Sequence, residues 1–388
     1  MSETTTTPAT ADHRTDSKLR TEEMVLNMGP QHPSTHGVLR LQLLTDGEVV
    51  REAEPHIGYL HRCAEKIGEN VTYPQFVPYT DRMDYLAGMN CNHSFALAVE
   101  RLMGLSVPER AEYIRILVLE LNRIASHLVA FGTYGLDIGA FTPFFYAFRE
   151  RERVLDLFEE LCGARLTYNY VRIGGVMADL TPGWLDKVRH FLDYFEPKIR
   201  EYDELLSYNT IFIRRTAKVG VLPAALAIGY GVTGPNLRGS GVKWDVRKGE
   251  PYSIYDRFDF DVPVGKGEMG ALGDCWDRYM VRIREMRESV KILRQALANV
   301  PEGPVMAEEV GKSVKPPAGE LYTRVENPRG EMGFWLVSNG KDTAVRAKAR
   351  APSFCSMSVF KEISRGAMLA DLVAIIGSLD IVLGEIDR

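Results

Sequence analysis

Apolar positions recur along the chain with two periods. Over Ile114–Phe131 they fall three and four apart (Ile114, Leu117, Leu121, Ile124, Leu128, Phe131), the spacing of one helix face. Ile116, Val118 and Leu119 fill the other faces, so the pattern predicts a helix after Pro108 that is buried nearly all round. Pro143 opens a second predicted helix, running through Leu161 and ended by Gly163. A third is predicted over Trp184–Tyr208. In a fourth, Trp276, Met280, Ile283, Val290, Leu293 and Leu297 line one face, and Arg282, Arg284, Glu285, Arg287, Glu288 and Lys291 largely cover the rest. A last helix is expected over Ala367–Ser378.

Strand-like patterns flank these helices. Met24–Asn27 and Gly37–Leu44, a turn at Thr45–Glu48 and a returning strand Glu48–Ala53 predict a small antiparallel sheet from which the loop Gly29–Gly37 projects. Leu321–Val325 and Gly333–Ser338 predict further strands, and the Gly-rich stretch Gly220–Gly273 reads as short strands and loops. The fold class is α+β, a helical core with small antiparallel sheets at the N- and C-terminal parts. The expected organisation is a polar, Thr-rich disordered tail over residues 1–20 and a single domain over 21–388. Within it, 21–75 hold the first sheet and the histidine loop, 76–300 the helical core, and 315–388 the last strands and helix.

Composition narrows the function classes. A 45% hydrophobic and 26% charged chain is globular. Its net charge of −5 argues against nucleic acid as the main partner, which usually requires a strongly basic footprint. The longest apolar stretches, Val221–Val232 and Leu369–Leu383, are short or interrupted by Asp371 and Asp380, whereas a bilayer crossing needs about 20 mostly apolar residues. The N-terminus has no apolar region of a secretory signal. Cys63, Cys91, Cys162, Cys275 and Cys355 are scattered and never form C-x-x-C, which fits reduced thiols. It also disfavours an iron–sulfur cluster on this chain, since that usually needs clustered thiolates.

The candidate chemistry begins in the loop Gly29–Gly37. His32 and His36 are four apart, but Pro33 interrupts the continuous helix that an H-E-x-x-H zinc arrangement needs. The bland alternative is a turn whose histidines cap backbone groups. Pro30, Pro33, Gly29 and Gly37 suggest a loop of fixed shape, where sites often sit. Pro55–Lys66 is rich in chemistry but matches no nucleophile triad or phosphate loop. In Tyr79–Leu86, Arg82 and Asp84 read most simply as a salt-bridged pair, and Tyr85 as a core aromatic with its hydroxyl satisfied. Asp137, placed after the buried helix among apolar residues, needs a partner. A histidine would serve, though spacing names none. Gly231–Gly239 has no G-x-G-x-x-G fingerprint, which discounts nucleotide binding there.

Taken together, these stretches resemble one family. Gly29-Pro30-Gln31-His32-Pro33-Ser34-Thr35-His36-Gly37-Val38-Leu39-Arg40 closely resembles the signature of the 49-kDa, D-type chains of complex I. Ile57–Arg62, Arg82–Tyr85, Leu136–Ala140, Thr142–Phe145, Arg282–Ser289 and Gly384–Arg388 are similar too, in order, so the resemblance spans roughly Leu19 to Arg388. It implies a fold like the large subunit of nickel–iron hydrogenases. Those enzymes bind their metal through two C-x-x-C pairs, and the stretches that correspond here, Arg82–Tyr85 and Asp380–Arg388, contain no cysteine. Such a metal site requires soft thiolates, so the resemblance implies a former metal pocket reused for quinone.

The implied function is the quinone-binding subunit of a proton-pumping NADH:quinone oxidoreductase, a translocase component not catalytic alone. The implied substrate is ubiquinone or menaquinone, with no metal or flavin on this chain. The partners implied are a B-type neighbour carrying the terminal iron–sulfur cluster, a C-type neighbour and the membrane arm, on the cytoplasmic side of a bacterial inner membrane. By resemblance, His36 and Tyr85 contact the quinone headgroup, Asp137 pairs with His36, and Arg82 lies near the neighbour's cluster. The residue types suit the reaction. Reducing a quinone takes two electrons and two protons, and a histidine of ordinary pKa near ~6.5 can donate at neutral pH. Tyrosine, at ~10, can supply a proton only if it is replenished, and a carboxylate behind the imidazole favours its charged form. Proton loss from His36 would strip Asp137 of its charged partner, a local trigger for coupling to proton translocation.

Three positions depart from the family pattern. Thr167 and Tyr168 stand where a histidine is frequent, one associated with pH-dependent tuning of the nearby cluster. Cys63 replaces a usual glycine, as a small packed residue or an accessible thiol near the site, and Ile381 a common proline. Two rival readings remain: the same scaffold fed by ferredoxin or a deazaflavin, and a structural scaffold protein with no site of its own.

Overall fold

Leu41, Leu43 and Thr45 are buried and alternate with half-buried Arg40, Gln42 and Leu44, and this alternation builds the first sheet. In the computed structural model, which describes residues 23–30, 37–311 and 313–388, strands β1 (Glu23–Met28), β2 (Arg40–Asp46) and β3 (Val49–His56) pair antiparallel in that order. The predicted tail and the loop residues 31–36, with His32 and His36, lie outside the described residues. β2 begins at Arg40 rather than Gly37 and runs into the predicted turn, so the hairpin closes on Gly47 and Glu48. The register with β3 shifts at Leu44/Thr45, and Thr45 is buried.

The helical part opens with α1 (Ala64–Gly68), α2 (Tyr73–Thr80) and α3 (Gly88–Met103). α3 escaped the sequence reading for a physical reason. It buries Asn90, Asn92, His93, Ser94 and Glu100 along with its apolar residues, so no polar face betrays it. α4 (Glu109–Asp137) is buried nearly all round, as predicted, and reaches six residues beyond Phe131, so Asp137 is its last residue rather than a residue of the loop after it. α5 (Thr142–Cys162) ends on Gly163 at φ 73°, the left-handed position glycine tolerates.

After the two-residue strands β4 (Val171–Arg172) and β5 (Gly175–Val176), α6 (Trp184–Tyr202) passes into a π-helical turn over Asp203–Ser207. The Gly-rich stretch forms short helices instead of the predicted strands: α7 (Thr210–Thr216), α8 (Ala224–Gly229), α9 (Gly234–Gly239) and α10 (Val246–Gly249). Pro223, Thr233 and Asp245 occupy the start positions of the last three.

α11 (Cys275–Asn299) corrects the expected amphipathic helix. Arg278, Arg282, Glu285 and Glu288 are buried. Arg278 donates to Ser378 at 2.8 Å, Arg282 lies 3.4 Å from Asp380, and Glu288 takes Lys291 of the same helix at 2.8 Å. Glu285 accepts from Arg238 at 2.6 Å and meets His127 of α4 at 2.9 Å. Glu120 accepts from Arg247 at 3.1 Å, Tyr255 at 2.7 Å and Ser289 at 2.6 Å. Removing a charge from water is tolerated only with such partners.

The chain closes with a second antiparallel sheet, β6 (Gly319–Asn327), β7 (Gly330–Ser338) and β8 (Arg346–Arg350). Four short helices follow: α12 (Pro352–Ser358), α13 (Phe360–Ser364), α14 (Leu369–Leu379) and α15 (Leu383–Asp387). The observed class is the expected α+β. Among the described residues, no helix is long and apolar enough to cross a membrane.

Candidate functional site

Three distant stretches meet around Tyr85. The Asp387 carboxylate accepts from the backbone N–H groups of Gly58 and Leu60 at 2.8 and 2.7 Å, and its carbonyl meets His61 Nδ1 at 2.6 Å. Arg62 N–H donates to the Arg388 carbonyl at 3.1 Å. The Arg62 guanidinium donates to the Arg82 carbonyl at 2.6 Å. α15 in turn packs so closely on the Arg82–Tyr85 turn that a Cβ at Gly384 would lie 2.5 Å from the Met83 carbonyl oxygen and 3.2 Å from the Tyr85 ring. Thus Ile57–Arg62, Arg82–Tyr85 and Gly384–Arg388, separate in sequence, form one surface.

The electrostatics differ from the expected Arg82–Asp84 pair. Asp84 is buried and takes both its oxygens to Arg329, at 2.9 Å each. Arg82 stays exposed and donates to the Pro78 carbonyl at 2.5 Å. The i,i+2 spacing points the two side chains apart, one to solvent and one to the core. Arg329 also donates to the Asp380 carbonyl and carboxylate, at 3.0 and 3.1 Å, and to Ser126 at 2.9 Å. Glu385 completes the buried cluster. Burial, then the Asp84 charge, push its carboxyl up to about 8.

Tyr85 is half-buried, and its hydroxyl has no hydrogen bond among the described residues, contrary to a core tyrosine with a satisfied hydroxyl. Burial raises its pKa, opposed by the Arg329 and Arg62 charges. Asp137 likewise lacks a hydrogen-bond or ion-pair partner among the described residues, and burial pushes its carboxyl up to about 7. It lies against α14: a Cβ at Gly377 would come 2.9 Å from its Oδ2. Tyr85 and Asp137 are therefore joined through α14, Asp380, Arg329 and Asp84 rather than by a direct bond. His36, the third candidate, lies outside the described residues.

Arg329, Asp380, Glu385 and Asp81 were missed by the sequence reading. Arg329 follows Asn327-Pro328 in a hairpin, where an arginine reads as solvated, and Asp380 caps a helix at φ 50°. Asp81 is fully buried beside Arg82 and accepts from Asn169 N–H at 3.0 Å, with its carboxyl pushed up by burial to about 6. This ties the Thr167–Tyr170 stretch to the Arg82 turn. Cys63 is exposed, with φ 57°. That left-handed conformation accounts for the frequent glycine there.

The α+β scaffold, a helical core with small antiparallel sheets, defines the class as a hydrogenase-like fold, and Arg82–Tyr85 and Asp380–Arg388 contain no cysteine. Residues 137–313 and 308–388 match the family described as the respiratory-chain NADH dehydrogenase 49 Kd subunit. A Chlorobium luteolum protein, named as the D subunit of NADH-quinone oxidoreductase, is 57% identical over 373 residues, covering 95% of this chain and 94% of that one. The first of the D subunits so named in Anaeromyxobacter sp. strain K is 58% identical over 367 residues, covering 95% and 97%. The chain belongs to the 49-kDa subunit family of the respiratory NADH dehydrogenase.

Proposed function

We propose that this chain forms the quinone-reduction site of an NADH:quinone oxidoreductase together with an adjacent iron–sulfur protein of the complex. The observation that carries the proposal is the half-buried Tyr85 hydroxyl, unbonded among the described residues and set at the meeting of three stretches. A half-buried hydroxyl left unpaired is available to a carbonyl acceptor such as a quinone oxygen.

In this reading His36 supplies a proton to the reduced headgroup and Tyr85 donates a hydrogen bond to it. Asp137, with a carboxyl that titrates near neutrality, is the counter-charge for the His36 imidazolium. A nearby cation lowers a carboxyl pKa, so the pair would hold Asp137 ionised until His36 gives up its proton. Arg82, exposed beside Tyr85, faces the neighbour's cluster. Charge relief at Asp137 would pass along α14 to Asp380 and Arg329, and so to the proton-translocating arm. The site belongs on the cytoplasmic side of the membrane, held there by the B-type and C-type neighbours and the membrane arm.

The test is made in the assembled complex. His36→Ala and Tyr85→Phe should assemble fully and lose most quinone reductase activity. Full assembly with quinone reduced at the parental rate would instead assign a purely structural role.

A further inference from the structure

Cys63 sits at the edge of a cavity of about 400 Å³, bounded by the His61 loop, β8 and α15, and it is the one exposed thiol of the five. Its Sγ lies 3.7 Å from His61 Nε2. The other imidazole nitrogen, Nδ1, meets the Asp387 carbonyl at 2.6 Å. A carbonyl only accepts, so Nδ1 carries the hydrogen and Nε2 presents its lone pair to the thiol. The tautomer is held by α15, because the Asp387 carboxylate is itself bound by Gly58 and Leu60.

The cavity wall is basic. Lys66, Arg346, Lys348 and Arg388 line it against two carboxylates, Glu65 and Asp387. Three of these cations converge on Glu65 alone, at 3.2, 3.0 and 3.3 Å. Glu69, beyond the wall, takes Lys66 and Arg346 at 2.7 Å each, and the Asp387 carboxylate is taken up by backbone N–H groups. Four cations thus face three carboxylates, and Lys348 and Arg388, which share Glu65, are the ones left for an anion.

We propose that Cys63 and His61 form a reversible thiol-modification site for small disulfides that carry carboxylates. In the reaction His61 Nε2 takes the Cys63 proton, and the sulfur attacks one sulfur of the disulfide. A new S–S bond forms to Cys63 as the original one breaks. The departing sulfur leaves as a thiolate, which takes the proton from the imidazolium. Cys63 is oxidised to the disulfide level, and one half of the reagent is reduced to a thiol. Arg62 adjoins Cys63 and donates to the Arg82 carbonyl, so the adduct sits one hydrogen bond from the Arg82–Tyr85 turn.

The purified complex is treated with oxidised glutathione, and adducts are located by peptide mass. Cys63 should be modified before the other four cysteines and released by reductant. His61→Asn keeps a donor for the Asp387 carbonyl but removes the base, and should slow modification about ten-fold or more. Iodoacetate should outpace iodoacetamide at Cys63, and Lys348→Gln should narrow that gap. Cys63→Gly should abolish the adduct. A Cys63 that reacts only after denaturation, or equally fast with and without His61, overturns the proposal.

Discussion

Arg329 holds both carboxylate oxygens of Asp84 at 2.9 Å, while its far side grips Asp380 at 3.1 Å. One guanidinium thus fastens the turn that carries Tyr85 to the end of the helix that packs on Asp137. Its five donors in a planar fork suit this task, which the single ammonium of a lysine does not.

Replacing Arg329 by methionine leaves buried Asp84 without its cation and Asp380 with only Arg282, at 3.4 Å. The loss should be about 3–5 kcal/mol of stability. Thermal unfolding and assembly yield would report it, and Arg329→Lys should recover only part. An unchanged melting temperature in Arg329→Met would contradict the bridging role.

Gly384→Ala tests the contact between α15 and the Tyr85 turn. The added methyl would lie 2.5 Å from the Met83 carbonyl oxygen, so the turn must move. Overpacking of this kind costs about 1–3 kcal/mol. Quinone turnover should fall more steeply than stability, because Tyr85 is displaced with Met83. Stability and turnover measured on one preparation separate the two effects.

Asp137 makes a pH prediction. Its carboxyl is raised from an ordinary 3.8 to about 7 in the folded chain. Between these values the folded state holds a proton that the unfolded state has lost, so stability falls as pH rises through the interval. Below it both states are protonated, and above about 7 the full penalty of an ionised buried carboxylate stands. In a His36→Ala background, which removes the proposed counter-charge, Asp137→Asn, neutral throughout, should gain in melting temperature from about pH 4 to 7 and then level off. Quinone turnover should fall in Asp137→Asn alone. A stability difference that does not change with pH would refute the assignment.

On the proposed reading, in which an adjacent subunit holds an iron–sulfur cluster beside Arg82, the Thr167–Tyr168 departure predicts that cluster's behaviour. Tyr168 is buried, and burial raises its pKa far from neutrality, so it exchanges no proton there. Asp81 titrates at about 6. The cluster's midpoint potential should therefore be nearly flat above pH 7. A potentiometric titration with a slope near ~59 mV per pH unit, one proton per electron, would overturn this.

Much of the scaffold was legible from residue order. α4 and α5 announced themselves through 3–4 spacing and through Pro143 and Gly163, because local periodicity and capping act within a few residues. The motif stretches Ile57–Arg62, Arg82–Tyr85 and Gly384–Arg388 were also visible, and so was the missing cysteine set that separates this chain from a thiolate metal site. Charge pairing was not. Arg82 and Asp84 looked like partners because they are close in sequence, yet Asp84 pairs with Arg329, 245 positions away. The helices of the Gly-rich stretch and buried α3 were missed for a related reason: their polar residues are satisfied by other elements.

Residue order by itself therefore determined the family, the helical core and the identities of Tyr85 and Asp137 as candidates. Only tertiary structure decided which charges neutralise one another, which hydroxyl is left unpaired, and that Cys63 faces a histidine with a fixed tautomer. Backbone periodicity is a local property, whereas desolvation and ion pairing depend on what long-range folding brings within about 4 Å.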